Sequence, residues 1–101
     1  MAKKSKIVRE AQRAELVKRY AERRAELVKQ SKDVNLSLEE RMEARATLAL
    51  LPRNSSRVRQ KNRCKITGRP HGYIRRIGVS RYMLRELAHA GVLPGCRKAS
   101  W

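Results

Sequence analysis

The residues best equipped for chemistry lie together, in Gly68-Arg69-Pro70-His71-Gly72-Tyr73. Two glycines and a proline fix a tight, irregular backbone that can approach a ligand closely. Arg69 offers a planar fork suited to phosphates or base edges. His71 and Tyr73 offer rings on which an unstacked base can lie. A purely structural turn has the same residues, so the segment alone does not decide between the two. Cations crowd around it: Arg53, Arg57, Arg59, Lys61, Arg63 and Lys65 before, Arg75, Arg76, Arg81 and Arg85 after, and Arg97 and Lys98 further on. Asn54, Ser55, Ser56, Gln60 and Asn62 are interspersed with the first group, and residues 53–78 show no period. Arginine-rich segments of this kind often order only on RNA. The bland alternative is a disordered tail or a localisation signal.

No catalytic constellation is visible. Glu86 is the single acid after Pro52, so a paired-carboxylate mechanism would have to borrow from the first half. Cys64 with His71 has no supporting motif, and an inert thiol is the simpler reading. A ribonuclease built on His71 and His89 is the best enzymatic alternative, and the lack of an enclosing core speaks against it. Cys64, His71, His89 and Cys96 form Cys-x6-His-x17-His-x6-Cys. Those residue types suit zinc, but the spacing matches no known knuckle. The expectation is a protein without catalytic residues, metal ligands or cofactor.

Charge bounds the partner. The 101 residues carry 26 Lys plus Arg against 9 Asp plus Glu, a net charge of +17. Self-repulsion of that size penalises a compact state unless a polyanion neutralises it. The excess is uneven. Residues 1–52 hold 13 basic and 8 acidic residues; residues 53–101 hold 13 basic residues and one acid. The second composition is that of a chain lying against phosphates. A DNA-compacting protein is the competing reading of the same charge, and the specific Gly68–Tyr73 segment argues instead for one defined site. No apolar run approaches the roughly 20 residues of a membrane span. The basic start, Met1 to Lys6, is followed by no apolar stretch, so it does not read as a secretory signal, and no transit peptide is evident. Two distant cysteines read as free thiols in a reducing compartment.

The elements that must carry these residues are mainly helical. Leu16, Tyr20 and Leu27 recur at helical spacing, beside Val17, Ala21 and Val28. Arg13-Ala14-Glu15-Leu16-Val17-Lys18 returns as Arg24-Ala25-Glu26-Leu27-Val28-Lys29. The offset is about three helical turns, so both copies present one face. Residues 31–36 break the pattern. Ser37 with Glu40 forms a capping box opening a second helix, whose modest apolar face is Leu38, Met42 and Ala49. Pro52 ends it. Ser80 is a candidate N-cap for a third helix near 80–90, with Val79 stapling Leu84, and Gly91 suits the position past its end. Arg81 and Arg85, one turn apart, can grip phosphates together. The expected fold is mainly α with extended irregular segments and little or no β-sheet. A helical N-terminal arm, 1–52, precedes a basic RNA-binding domain, 53–101. The balanced charge of the arm suits protein neighbours.

The order of features is more specific than any one of them. Asn62-Arg63-Cys64, Gly68 to Tyr73, Arg75 to Arg81, Arg85-Glu86-Leu87-Ala88, Pro94-Gly95 and Lys98-Ala99-Ser100-Trp101 follow one another. This succession closely resembles the small-subunit ribosomal protein fourteen (S-fourteen) family, over the whole chain and including Leu51 to Ser56. The resemblance implies a structural, non-enzymatic component of the small-subunit head, active in translation. It implies binding of small-subunit (16S) rRNA, support of assembly, and influence on the RNA near the aminoacyl site. The implied neighbours are proteins S-three, S-ten and S-nineteen, with no homo-oligomer and no membrane. The implied location is the cytoplasmic ribosome, bacterial or organellar. One form of the family holds zinc with two Cys-x-x-Cys pairs. The matching positions here are Cys64, Thr67, Ser80 and Met83, and one thiolate of four cannot hold a structural zinc. The resemblance is thus to the long, zinc-free bacterial form, its C-terminal domain a degenerate zinc knuckle. Arg97, Lys98 and Trp101 are expected to anchor in RNA; Trp101 can stack on a base or pack on its own helix.

Overall fold

In the computed structural model, residues 1–100 are described. Helix α1 spans Lys4–Lys32 and α2 spans Leu38–Leu50. Ala, Glu, Lys and Arg dominate α1, and all favour a helix on propensity. Lys29 and Lys32 sit in its last turn, where the negative end of the helix dipole favours cations. Arg13 pairs with Glu10 one turn earlier at 3.1 Å. The half-buried stripe runs through Arg13, Leu16, Tyr20, Arg24 and Leu27 to the buried Ser31. Both copies of the internal repeat thus turn the same Arg and Leu inward, whereas Ala21 and Val28 lie on the exposed side.

A short turn leads into α2. The Asp33 carboxylate accepts from the Asn35 N–H at 3.0 Å. The capping box forms in both directions: the Glu40 N–H donates to Ser37 Oγ at 3.3 Å, and the Ser37 N–H to Glu40 Oε2 at 3.1 Å. Leu51 is extended, as a residue before proline must be, and α2 stops there. The apolar face of α2 differs from the expected one. Leu38, Met42 and Ala49 are exposed, and Ala44 is the buried residue, with Thr47 and Leu48 half-buried.

Two short 3-10 turns follow, at Arg53–Ser55 and Arg57–Arg59. Ser55 is almost wholly buried; its hydroxyl donates to the Pro52 carbonyl and accepts from Arg24 Nε at 2.8 Å. Strands β1 (Tyr73–Ile74) and β2 (Val79–Ser80) pair antiparallel, Tyr73 opposite Ser80 and Ile74 opposite Val79. Helix α3 is Arg81–His89. Ser80 caps it, accepting from the Met83 N–H at 3.4 Å. Its far end closes with the Gly91 N–H on the Ala88 carbonyl (3.2 Å) and the Val92 N–H on the Leu87 carbonyl (3.0 Å). These are the two bonds of a Schellman motif.

The chain forms two compact units: Val8–Gln60, and Met1–Ile7 together with Lys61–Trp101. Each has a small core. The first buries Ala44, Leu51, Ser31 and Ser55, and the second buries Cys64, Val79 and Ser80. Burying a Leu or Val side chain contributes about 1.5–3 kcal/mol, so cores this small leave little surplus over conformational entropy. Among the described residues no helix is long and apolar enough to cross a membrane.

Candidate nucleic-acid interface

The second unit is organised around one sulfur. The Gly68 N–H donates to the Cys64 carbonyl at 2.8 Å, and the Cys64 N–H to the Arg69 carbonyl at 3.0 Å. The Lys65 N–H reaches the Gly78 carbonyl at 3.1 Å, tying the turn to the hairpin. Arg63 closes the turn from the side, donating to the Gly68 carbonyl at 3.0 Å. The Cys64 side chain is only 3% exposed. Burial pushes its thiol up, but the Thr67 hydroxyl and the N–H groups of Thr67, Ser80 and Ile66 all donate to the sulfur. The net effect lowers it from 9.0 to about 6. Cys64, Thr67 and Ser80 therefore do come together around one sulfur. Cys96 is exposed, as are His71 and His89. Among the described residues no group of three or more His, Cys, Asp or Glu is placed to hold a metal ion.

The Gly68–Tyr73 segment leaves this turn on a fixed path. Gly68 has φ +72° and Gly72 φ +63°, a region open to glycine at little cost. A Cβ at Gly68 would also lie 2.6 Å from Ile7 Cδ1. The N-terminal residues occupy that space, with the Ala2 N–H bonded to the Thr67 carbonyl at 3.1 Å. At the other end, the Arg81 N–H donates to the Gly72 carbonyl at 2.7 Å, joining the segment to the start of α3. Arg69 and His71 are exposed on this frame; Tyr73 is half-buried at the start of β1.

Helix α3 and the chain after it enclose a groove of about 400 Å³. Arg81, Arg85 and His89 line it from successive turns of the helix, and Arg97 and Lys98 line it from the tail. Leu84, Ala88 and Cys96 complete its wall, and none of the described residues lining it is acidic. Low-dielectric walls and cations of one sign concentrate positive potential in such a cleft. The arrangement can hold a phosphodiester strand: its charges meet phosphates, and the apolar wall accepts sugar or base edges.

Residues 47–100 match the family described as "Ribosomal protein S14p/S29e". The chain is 56% identical to "Small ribosomal subunit protein uS14" of Ruegeria pomeroyi, over the full length of both. Over the same full extent it is 57% identical to "Small ribosomal subunit protein uS14A" of Mycolicibacterium smegmatis and 55% identical to uS14 of Aliivibrio fischeri. The chain belongs to the S14p/S29e family of ribosomal proteins. Proteins of this family are structural and not enzymes, so no catalytic role remains for His71, His89 or Cys64.

The S14p/S29e match extends across both compact units, and the expected site residues divide between them. Arg53, Arg57 and Arg59 belong to the first unit, all exposed, with Arg59 donating to Asn54 Oδ1 at 2.8 Å. Lys61, Arg63, Lys65, Arg69, Arg75, Arg76, Arg81, Arg85, Arg97 and Lys98 belong to the second. Arg75 and Arg76 sit on the exposed turn between β1 and β2. Of these cations only Arg63 is half-buried, where it holds the Cys64 turn. Trp101 lies outside the described residues. Sequence reasoning missed His89 as the third basic residue on the α3 face, although it repeats the four-residue spacing of Arg81 and Arg85. The three amide donors to Cys64 left no such signal, because backbone amides carry no residue type.

Proposed function

We propose that the protein is an architectural constituent of the small subunit of the cytoplasmic ribosome that fixes the fold of 16S rRNA in the head. The groove lined by Arg81, Arg85, Arg97 and Lys98, with no acidic side chain among its described lining residues, supports this reading most directly. Family membership supports ribosomal RNA as that polyanion. The exposed cations from Arg53 to Arg85 neutralise converging backbones, and His71, Tyr73 and Trp101 supply rings for unpaired bases. In this role the protein supports assembly and the RNA conformation near the aminoacyl site. Proteins S-three, S-ten and S-nineteen are its neighbours on family resemblance, met through the more evenly charged helices of residues 1–52.

Charge removal at fixed positions tests the clamp. Arg69→Ala and Arg76→Ala are each expected to weaken rRNA binding by about 1–3 kcal/mol. Both should impair subunit assembly, seen as loss from the small-subunit peak of a sucrose gradient, far more than Glu22→Ala. Equal effects of all three would count against the clamp. Duplex DNA that competes as well as rRNA at every salt concentration would favour a general polyanion binder instead.

A further inference from the structure

The first unit carries a feature of opposite sign. A groove of about 490 Å³ opens between α1, the turn and α2. Leu27, Leu36 and Ala44 supply its apolar part, and Asp33, Glu40 and Glu43 its charge; no Lys or Arg lines it. In a chain of 26 cations this is unexpected, because intrachain cations are abundant and could have entered. The ion pair of Arg13 with Glu10 lies elsewhere on α1. Asp33 and Glu40 each accept one backbone N–H, bonds that leave their negative charge in place. The Glu43 side chain is exposed and makes no ion pair or hydrogen bond among the described residues.

Two occupants are excluded by this chemistry. A phosphate backbone would be repelled by three carboxylates. A metal ion would need three acidic groups within joint reach, and no such group is formed among the described residues. A long cationic side chain fits both halves of the groove. Its methylene stem covers Leu27, Leu36 and Ala44, while its head meets the carboxylates. We infer that this groove receives a Lys- or Arg-bearing segment of a neighbouring protein. The inference rests on the small-subunit role above, and gives the protein-facing helices a partner chemistry.

The test uses intact small subunits. A photoreactive phenylalanine analogue replaces Gln30, which lines the groove and is exposed. Irradiation is expected to join position 30 to a stretch of another ribosomal protein that contains Lys or Arg. Glu43→Lys, in the same background, should lower that yield roughly tenfold, since attraction becomes repulsion. Glu43→Gln, which keeps the side chain's size, should lower it less. Circular dichroism of both variants should show unchanged helix content, and binding to 16S rRNA should be undiminished. Attachment to RNA, to a second copy of this chain, to a segment without cations, or to nothing overturns the inference. So does a yield indifferent to Glu43→Lys. Failure of the unsubstituted chain to enter the subunit overturns the ribosomal reading and this one together. Entry with the wrong crosslink overturns this one alone.

Discussion

Cys64 is the residue on which the second unit turns. Its sulfur accepts hydrogen bonds from a hydroxyl and three amides, which lower its pKa to about 6. A folded-state value below the ordinary 9.0 has a definite consequence for stability. The contribution is fully present above pH 9, and is lost as the pH falls to about 6 and the thiolate is protonated. Stability to urea should therefore rise between those limits, and Cys64→Ser should flatten the rise. A Cys64→Ser profile that keeps the wild-type slope would remove the thiolate from the account. Burial separates charge from reactivity here. In the folded chain a thiol reagent should modify the exposed Cys96 well before Cys64, despite the lower pKa of Cys64.

At the scale of the elements, the helix boundaries follow from their caps. Ser37→Ala removes the acceptor for the Glu40 N–H and should cost about 1 kcal/mol of α2 stability, read as lost ellipticity in a urea titration. An unchanged titration would mean that packing alone holds α2. Ser37, Glu40, Pro52, Ser80 and Gly91 were all legible in the sequence, because capping acts over three or four residues and uses specific side chains. The inner face of α2 was not. Leu38 and Met42 give the stronger hydrophobic signal, but the buried position is Ala44, whose small side chain gives little signal in the sequence. The β1–β2 pair was equally hidden, since two residues per strand display no period. At the candidate interface, the Arg81 and Arg85 pair was legible from its spacing, whereas the groove they form with Arg97 and Lys98 depends on where the tail returns.

For the whole molecule, charge sets the response to salt. Each phosphate neutralised adds about −0.7 to −0.9 to the slope of log affinity against log salt. The cations of the second unit thus predict a steep decline in rRNA affinity, about a thousandfold or more between roughly 50 and 200 mM salt. Arg85→Ala should make that slope shallower by about one. A salt-independent affinity would rule out a binding mode dominated by phosphates. The second unit is also made of two stretches of chain, Met1–Ile7 and Lys61–Trp101. Ala2 and Ile7 fill its surface over Thr67 and Gly68. In topological terms Val8–Gln60 is an insertion within this unit. Residues 61–101 are consequently not a portable cassette: excised alone, they would leave the Gly68 turn uncovered. Closing the unit requires residues far apart in sequence to meet, an entropic cost paid before their contacts form.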